Sequence, residues 1–547
     1  MIYLFTMAVV MALTMAVIPF TAYMAPRLGL LDQPSERKVH SAPMPRVGGI
    51  AIVPCALFGV LMLAPQDKVI LSYLLGAFVL FVFGLWDDRR EIGHYFKFTG
   101  QFIAALLVVI YGDVYVTNFP FFEPGLIPDF AAKSFTVIAL VGMINAINHS
   151  DGLDGLASGE VLISLSAMAF LAYQAGGGDE VLIIALAAVG AIIGFLRYNT
   201  HPAKIFMGDT GSQFLGYTVG FLAILLTQRV DRSMSPAVAL LLLGLPIVDI
   251  LVVLKKRIRE GRNWFKASKN HIHHRLLTLG FLHEESVIVI YSVQILCVTT
   301  GVLFCYQSDW VIIAIYLAIT SMLFMYLRWA EAHGWNFDGT RSNIKNMGFI
   351  ARLSKERIMI IIPRKLLVLS ITLFLIGNSI SISHVPHDFA LLAAIVLSLA
   401  MLESILPRAL DRKISRVTIY CTIAFVEFLS VQQQQTWIPG GIYLNSLSTL
   451  IVALAILIAM NSSPRRRAQE FNMTTTDYLL IFVLMASLFI INEMGLENDF
   501  ISVLIPVLVL CYASELLITE ERRSHRFLLR WSAMITLAVL CVRGFMY

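Results

Sequence analysis

Apolar runs of about 20 residues recur from one end of this chain to the other, and a run of that length matches the hydrocarbon thickness of a bilayer. They are too numerous to be the buried core helices of a soluble protein. Of 547 residues, 58% are hydrophobic and 14% charged, whereas a soluble domain carries about 25% charged residues. Mean hydropathy is +0.77. Inside lipid every backbone N–H and C=O must be satisfied within the protein, so the predicted fold is an all-α polytopic membrane protein.

Spans are expected at roughly 2–24, 47–65, 68–86, 99–117, 133–149, 158–174, 180–197, 212–228, 236–254, 286–305 and 309–327. Those are about 11 helices, with about 7 more following in a C-terminal region. The polar stretch Arg328–Arg357 reads as a linker. The expected organisation is a membrane domain over 1–335, a cytoplasmic linker over 336–362, and a C-terminal transmembrane region of unknown role over 363–547. The first residues, Met1 to Phe20, lack a basic leader and a small-residue cleavage site, so a retained first span is expected there. The six cysteines sit mostly in apolar runs without metal-ligand spacing and read as small buried hydrophobes.

The net charge of +5 is informative through its placement and carries no nucleic-acid signature. Alternate loops are basic: Arg27/Arg37/Lys38/Arg46, Arg89/Arg90/Lys97, Lys255 through Arg275, Arg408/Arg412/Lys413/Arg416, Arg465/Arg466/Arg467 and Arg522/Arg523. The intervening loops are neutral or acidic. By the positive-inside rule the basic loops face the cytoplasm and the N-terminus lies outside.

Five polar clusters then fall on the cytoplasmic side, which points to one active site. Asp87 and Asp88 end the third span in Gly84-Leu-Trp-Asp-Asp-Arg-Arg90, with Lys97 just beyond. Adjacent carboxylates there can bind a cation or take a proton, or can simply be solvated, and Lys97 alone can be a snorkelling anchor. Asn145-Ala-Ile-Asn-His-Ser-Asp-Gly-Leu-Asp-Gly155 collects amides and carboxylates among glycines, a hard-oxygen set suited to Mg²⁺ with a diphosphate. Arg197-Tyr-Asn-Thr-His-Pro-Ala-Lys-Ile-Phe-Met-Gly-Asp-Thr-Gly211 adds Asp209, which can complete a metal site, and Phe206, a face for a base or an interface anchor. His271-Ile-His-His-Arg275 suits polyanion binding; zinc competes, but without thiolate or carboxylate company nearby. Arg37-Lys-Val-His-Ser-Ala-Pro-Met-Pro-Arg-Val-Gly-Gly49 can hold phosphate or serve topology alone.

Taken together, these motifs over about residues 1–330 resemble the polyprenyl-phosphate N-acetylhexosamine-1-phosphate transferase superfamily (glycosyltransferase family 4). The His-x-His-His-Arg-Leu form is similar to its WecA/TagO-like branch, since Ile272 interrupts the three consecutive histidines of the muramyl-pentapeptide branch. His149 departs from the pattern, standing where a less polar residue is expected. The resemblance implies transfer of N-acetylhexosamine-1-phosphate, GlcNAc-1-phosphate first, from a UDP-sugar to undecaprenyl phosphate in the bacterial inner membrane. UMP leaves, and the lipid-diphosphate sugar starts a cell-surface polysaccharide.

By the same resemblance Asn148 and Asp209 bind Mg²⁺, or Mn²⁺ in its place. Asp151 and Asp154 surround the nucleotide-sugar, with Asn199 and Phe206 near the uridine. Lys38 and Lys97 meet phosphates; His271, His273, His274 and Arg275 meet the diphosphate or sugar, with His273 and His274 among the catalytic candidates. Asp87 and Asp88 are catalytic candidates for handling the lipid phosphate. The implied partners are the two substrates and the bilayer, with no nucleic acid; a homodimer is compatible.

The alternative within the superfamily is the phospho-MurNAc-pentapeptide transferase of peptidoglycan synthesis. A transporter or flippase is the alternative of another class. Transporters place polar residues at mid-membrane between repeats. Here the clusters gather at one face and no half-to-half repeat is visible. The C-terminal region carries the acids Glu403 and Glu427 within apolar surroundings, readable as functional groups or as acids paired within the bundle.

Overall fold

Residues 2–33, 43–261, 270–336, 358–402, 408–432 and 523–546 are described by the computed structural model, apart from positions 91, 124, 383 and 384 and with scattered positions over 507–517. Lys38, Glu403 and much of the expected C-terminal set of spans lie outside the described residues. The chain divides into two compact units, the first running from Met1 to Arg341 and the second formed by most of 342–547.

In the first unit the order is α1 (Ile2–Leu28), β1 (Leu31–Asp32), β2 (Met44–Pro45), α2 (Gly48–Leu63), α3 (Lys68–Arg90), α4 (His94–Leu106), α5 (Asp129–Ser150), α6 (Leu156–Gln174), α7 (Asp179–Asn199), α8 (Gly208–Leu225), α9 (Val238–Leu243), α10 (Leu245–Arg259), α11 (Ile272–Thr278), α12 (His283–Phe304) and α13 (Asp309–Ala332). Ten helices among the described residues are long and apolar enough to cross a membrane, and all but Phe527–Met546 belong to this unit. The chain is an all-α polytopic membrane protein.

One expected span is built differently. The segment over 236–254 is two helices, α9 and α10, separated at Gly244, whose φ of 54° lies in the left-handed region. Pro246 follows at once and cannot donate to a continuing helix. Polar side chains from neighbouring helices serve the freed backbone groups. Leu245 N–H donates to Gln294 Oε1 at 3.0 Å, and Tyr316 Oη donates to the Gly244 carbonyl at 3.0 Å. A break inside a bundle is tolerated only with such replacements. The sequence reading also missed the short antiparallel pair β1–β2, which carries the chain from α1 into α2.

Helix α8 is central. Every residue in the apolar window of Gly208–Val230 is buried, and α2, α3, α5, α6 and α7 pack on it. Lipid offers no hydrophobic drive between helices, so close approach through small residues does the work. A Cβ on Gly49 of α2 would stand 2.3 Å from the Gly211 backbone nitrogen of α8. One on Gly216 would stand 2.7 Å from Ile144 Cα of α5. Tyr73 of α3 adds a hydroxyl contact of 3.0 Å to Thr218 and stacks on Tyr217 with centroids 5.5 Å apart.

The second unit contains Ile358–Ser381, His387–Leu402, Arg408–Gln432 and Arg523–Met546, joined by an apolar core including Ile371, Ile423 and Leu537. Glu427 is buried within it.

Because α8 backbone atoms face Gly49 and cannot swing aside, Gly49→Val is expected to destabilise the bundle by about 1–3 kcal/mol. Gly142→Ala, which meets nothing within 4 Å, is the matched control. Thermal unfolding in detergent checks this: the first variant should melt lower than the parent, and the second should not.

Candidate active site

The side chains singled out above sit at helix ends. Asp87 and Asp88 end α3, Lys97 opens α4, Asn148 ends α5, Asn199 ends α7 and Asp209 opens α8. Asp151 and Asp154 occupy the turn between α5 and α6. Successive spans run in opposite directions, so these ends gather at one end of the bundle. They surround a cavity of about 540 Å³.

At its base, Asp88 accepts from Asp209 N–H at 2.7 Å, Thr210 N–H at 3.0 Å and the Thr210 hydroxyl at 2.6 Å. A carboxylate from α3 thus caps the N-terminus of α8, where orphan donors and the positive helix end favour an anion. Gly208 takes φ 75°, and a Cβ on it would lie 2.7 Å from both Asp88 oxygens. That residue has to be glycine. The next side chain, Asp209, is thereby held at the cavity.

Lys97 Nζ bridges Asp87 at 2.5 Å and Asp209 at 3.1 Å. Asn148 donates its amide to Asp209 and, at 2.8 Å, to the Ser212 hydroxyl. Asp87 Oδ1 is buried with no hydrogen-bond partner among the described residues. Asp151 also lines the cavity, and burial together with the charges of Asp209, Asp88 and Asp154 pushes its carboxyl up to about 8. One lysine therefore stands among several acids. Asp88, Asn148, Asp151 and Asp209 line the cavity, and the partly exposed Lys97 stands against Asp209 and links it to Asp87.

The opposite side is built by Asn199, Phe206 and Asp154. Asn199 is a bracket between loops: its Oδ1 accepts Gly155 N–H at 2.9 Å and its Nδ2 donates to the Ile205 carbonyl at 2.9 Å. Phe206 is pinned through its backbone, with Phe206 N–H donating to the Pro45 carbonyl at 2.8 Å and its own carbonyl accepting Gly48 N–H at 2.9 Å. Asp154 accepts from His201 Nδ1 at 2.7 Å and Ala203 N–H at 3.1 Å. Burial alone would raise the Asp154 carboxyl, but these hydrogen bonds hold it below its usual range, and the same pairing raises His201. Arg46, paired with Asp32, completes this wall.

The histidine motif divides. His274 lines the cavity; His271 and His273 are buried behind it. His271 Nδ1 meets Asp249 Oδ2 at 2.7 Å, and the other Asp249 oxygen accepts Ile272 N–H at 3.0 Å. His273 packs so closely on Gly152 that a Cβ there would lie 2.3 Å from Nε2. Burial first, then the neighbouring imidazoles, lowers the His273 pKa well below the ordinary value, so this ring is neutral. Arg275 forms a two-pronged ion pair with Glu331 of α13, at 2.6 and 2.9 Å.

Sequence reasoning did not single out Asp32, Asp249, His201 or His283 as site residues. Each acts through a partner elsewhere in the chain, and of the four His201 alone lay inside a motif already singled out, Arg197–Gly211.

Comparison with known proteins fits this geometry. The family model for glycosyl transferase family 4 matches residues 70–227, a stretch holding every cavity-lining acid except Asp32. A Bacillus subtilis protein named as a probable undecaprenyl-phosphate N-acetylglucosaminyl 1-phosphate transferase is 35% identical over 322 residues, covering 58% of this chain and 89% of that protein. The decaprenyl-phosphate N-acetylglucosaminephosphotransferase of Mycobacterium tuberculosis is 33% identical over 317 residues, covering 51% of this chain and 78% of its own. The undecaprenyl-phosphate alpha-N-acetylglucosaminyl 1-phosphate transferase of Escherichia coli K12 is 30% identical over 312 residues, covering 54% and 83%. With aligned regions that span most of each relative and a polar cavity built from the ends of its membrane helices, the chain belongs to glycosyl transferase family 4.

Proposed function

We propose that this protein transfers GlcNAc-1-phosphate from UDP-GlcNAc to undecaprenyl phosphate at the cytoplasmic face of a bacterial inner membrane. The observation that carries the reading is the cavity at one end of the bundle, where Asp88, Asp151 and Asp209 crowd beside Asn148. The names of the relatives support the acceptor and the transferred group. The basic loops flank that end of the bundle, which supports the orientation.

The donor set fits a hard divalent cation. It is all oxygen, Asp87 keeps a buried oxygen without a partner among the described residues, and Asp151 carries a carboxyl raised by burial and then by its neighbours' charge. Asp209 and Asn148 would hold Mg²⁺, Asn148 through its amide oxygen. When bound, the ion neutralises charge on the donor diphosphate.

Phosphoryl transfer asks mainly for positioning and charge neutralisation. An oxygen of the acceptor phosphate attacks the β-phosphorus of the nucleotide-sugar, and the bond to the UMP oxygen breaks. Lys97, shared between Asp87 and Asp209, keeps these acids from repelling one another and the incoming phosphate. Asp88 acts by holding α8, since its oxygens are taken by Asp209 and Thr210. His274 is the imidazole of the motif placed to meet the diphosphate or sugar directly. His271 and His273 support it from behind.

Asp209→Asn is expected to lower Mg²⁺-dependent UMP release by about 10²–10³-fold or more while the protein stays folded. Activity near that of the parent at saturating Mg²⁺ would remove Asp209 from the ion's site.

Single cysteines at positions 90 and 270 should be labelled by an impermeant thiol reagent only from the cytoplasmic side, because basic loops stay inside. Labelling of either in intact cells, from outside, would overturn the orientation.

The cavity is lined wholly by residues of the first unit. A chain ending near residue 346 should therefore release UMP at a rate per mole within about threefold of the full-length protein, with some loss of yield. A folded but inactive truncation would show that the second unit shapes the site.

A further inference from the structure

We propose that His201 and His283 form a positioning pair that clamps Asp154 as a hydrogen-bond acceptor for an uncharged N–H or O–H group of the nucleotide-sugar. This rests on the reading above that the cavity takes such a donor.

Asp154 is gripped by three groups from two parts of the chain. The loop after α7 supplies His201 Nδ1, at 2.7 Å, and Ala203 N–H, at 3.1 Å, both to Oδ2. The first residue of α12, His283, takes the Asp154 backbone N–H on its Nε2 at 2.9 Å. The two imidazole rings stack on one another with centroids 4.2 Å apart and planes 24° from parallel. All three residues line the cavity.

These contacts fix the protons. A ring nitrogen that accepts an N–H carries no hydrogen, so His283 is neutral with its proton on Nδ1, a buried atom without a partner among the described residues. His201 presents N–H at Nδ1 toward the carboxylate. With Oδ2 occupied twice, and no hydrogen bond from a described residue to Oδ1, the second oxygen is the one left for a ligand. A carboxylate repels phosphate, so the group it accepts from is an uncharged donor, of the base, ribose or sugar.

A metal reading of the same three residues competes, since their ligand atoms all lie within 4.8 Å of one another. The distances argue against it. Ligand atoms about 2.0–2.1 Å from a tetrahedral ion stand roughly 3.3–3.4 Å apart. Here Asp154 Oδ2 is 2.7 Å from His201 Nδ1 and 3.9 Å from His283 Nε2, whose lone pair already meets the backbone N–H.

Side-chain amides separate a positioning role from mere bulk. Asparagine can place an N–H where histidine has Nδ1, and glutamine can place an acceptor where histidine has Nε2. In calorimetric titration with UDP-GlcNAc, His201→Leu and His283→Leu are expected to bind about tenfold to a hundredfold more weakly, as loss of a hydrogen bond to a charged or buried group implies. His201→Asn and His283→Gln should stay within about threefold of the parent. In turnover, the leucine variants should raise KM for UDP-GlcNAc, leaving kcat and the KM for prenyl phosphate within about threefold. Leucine variants that bind like the parent would overturn the proposal. So would amide variants that bind as poorly as leucine while melting at the parent's temperature. One tightly held Zn²⁺ per purified chain, lost in the amide variants too, would instead establish the metal site and overturn the clamp. A parent that binds UDP-GlcNAc through His201 but releases no UMP would sink the proposed reaction and leave the clamp standing.

Discussion

The cavity depends on the carboxylate of Asp88 at the start of α8. That helix is enclosed by its neighbours along its apolar length, and its first turn opens onto the cavity alone. Left unmet, each such donor costs about 1–3 kcal/mol. Asp88 meets two of them, and the Thr210 hydroxyl besides, from a different helix. The same contact ties α3 to α8 and brings Asp209 to the cavity with no freedom to withdraw. Asp87, one residue earlier, points about 100° away around α3 and pairs with Lys97 instead. Two adjacent acids that look equivalent in the sequence thus do different work. One builds the helix terminus, and the other balances the cation that Asp209 also touches.

The helices were legible because the constraint that makes them is crude. Length and apolarity suffice to mark a span, and the expected segments over 1–330 fall on helix, save that 99–117 runs past its helix end at Tyr111 and 236–254 is broken at Gly244. Where a second constraint enters, the pattern misleads. Gly244 and Pro246 sit in an apolar run that reads as one span, yet the backbone turns there because Gln294 and Tyr316 take up the freed groups. Those partners stand 49 and 72 residues away. The polar clusters were legible too, since each is dense and each falls at a helix end. What local reading loses is the single polar residue whose partner is remote. Asp249 lies alone in an apolar helix, and its meaning comes from His271, 22 residues on. His283 opens a helix 129 residues from Asp154. His201 stood in plain view inside a recognised motif, but nothing near it in sequence says that its ring faces Asp154 and not a substrate.

The histidine motif shows how far a cluster can be from a set of equivalent ligands. Successive residues on a helix point about 100° apart, so adjacent imidazoles on α11 cannot all face one molecule. His274 lines the cavity; His273 packs against Gly152, where a larger residue would not fit. His271, just before the helix, turns to Asp249. That acid also accepts the Ile272 N–H, so one carboxylate both starts α11 and orients the ring preceding it. The neutral state of His273 follows from this placement: buried among other imidazoles, it cannot keep a charge that water no longer solvates. The cationic side chains that stay partly wet at or beside the cavity are Arg46 and Lys97. The buried rings contribute shape. Arg275 is drawn off to Glu331, which ties α11 to α13, while the half-buried His274 lines the cavity. Of a motif that looks like a polyanion site from composition, His274 is the imidazole that lines the cavity.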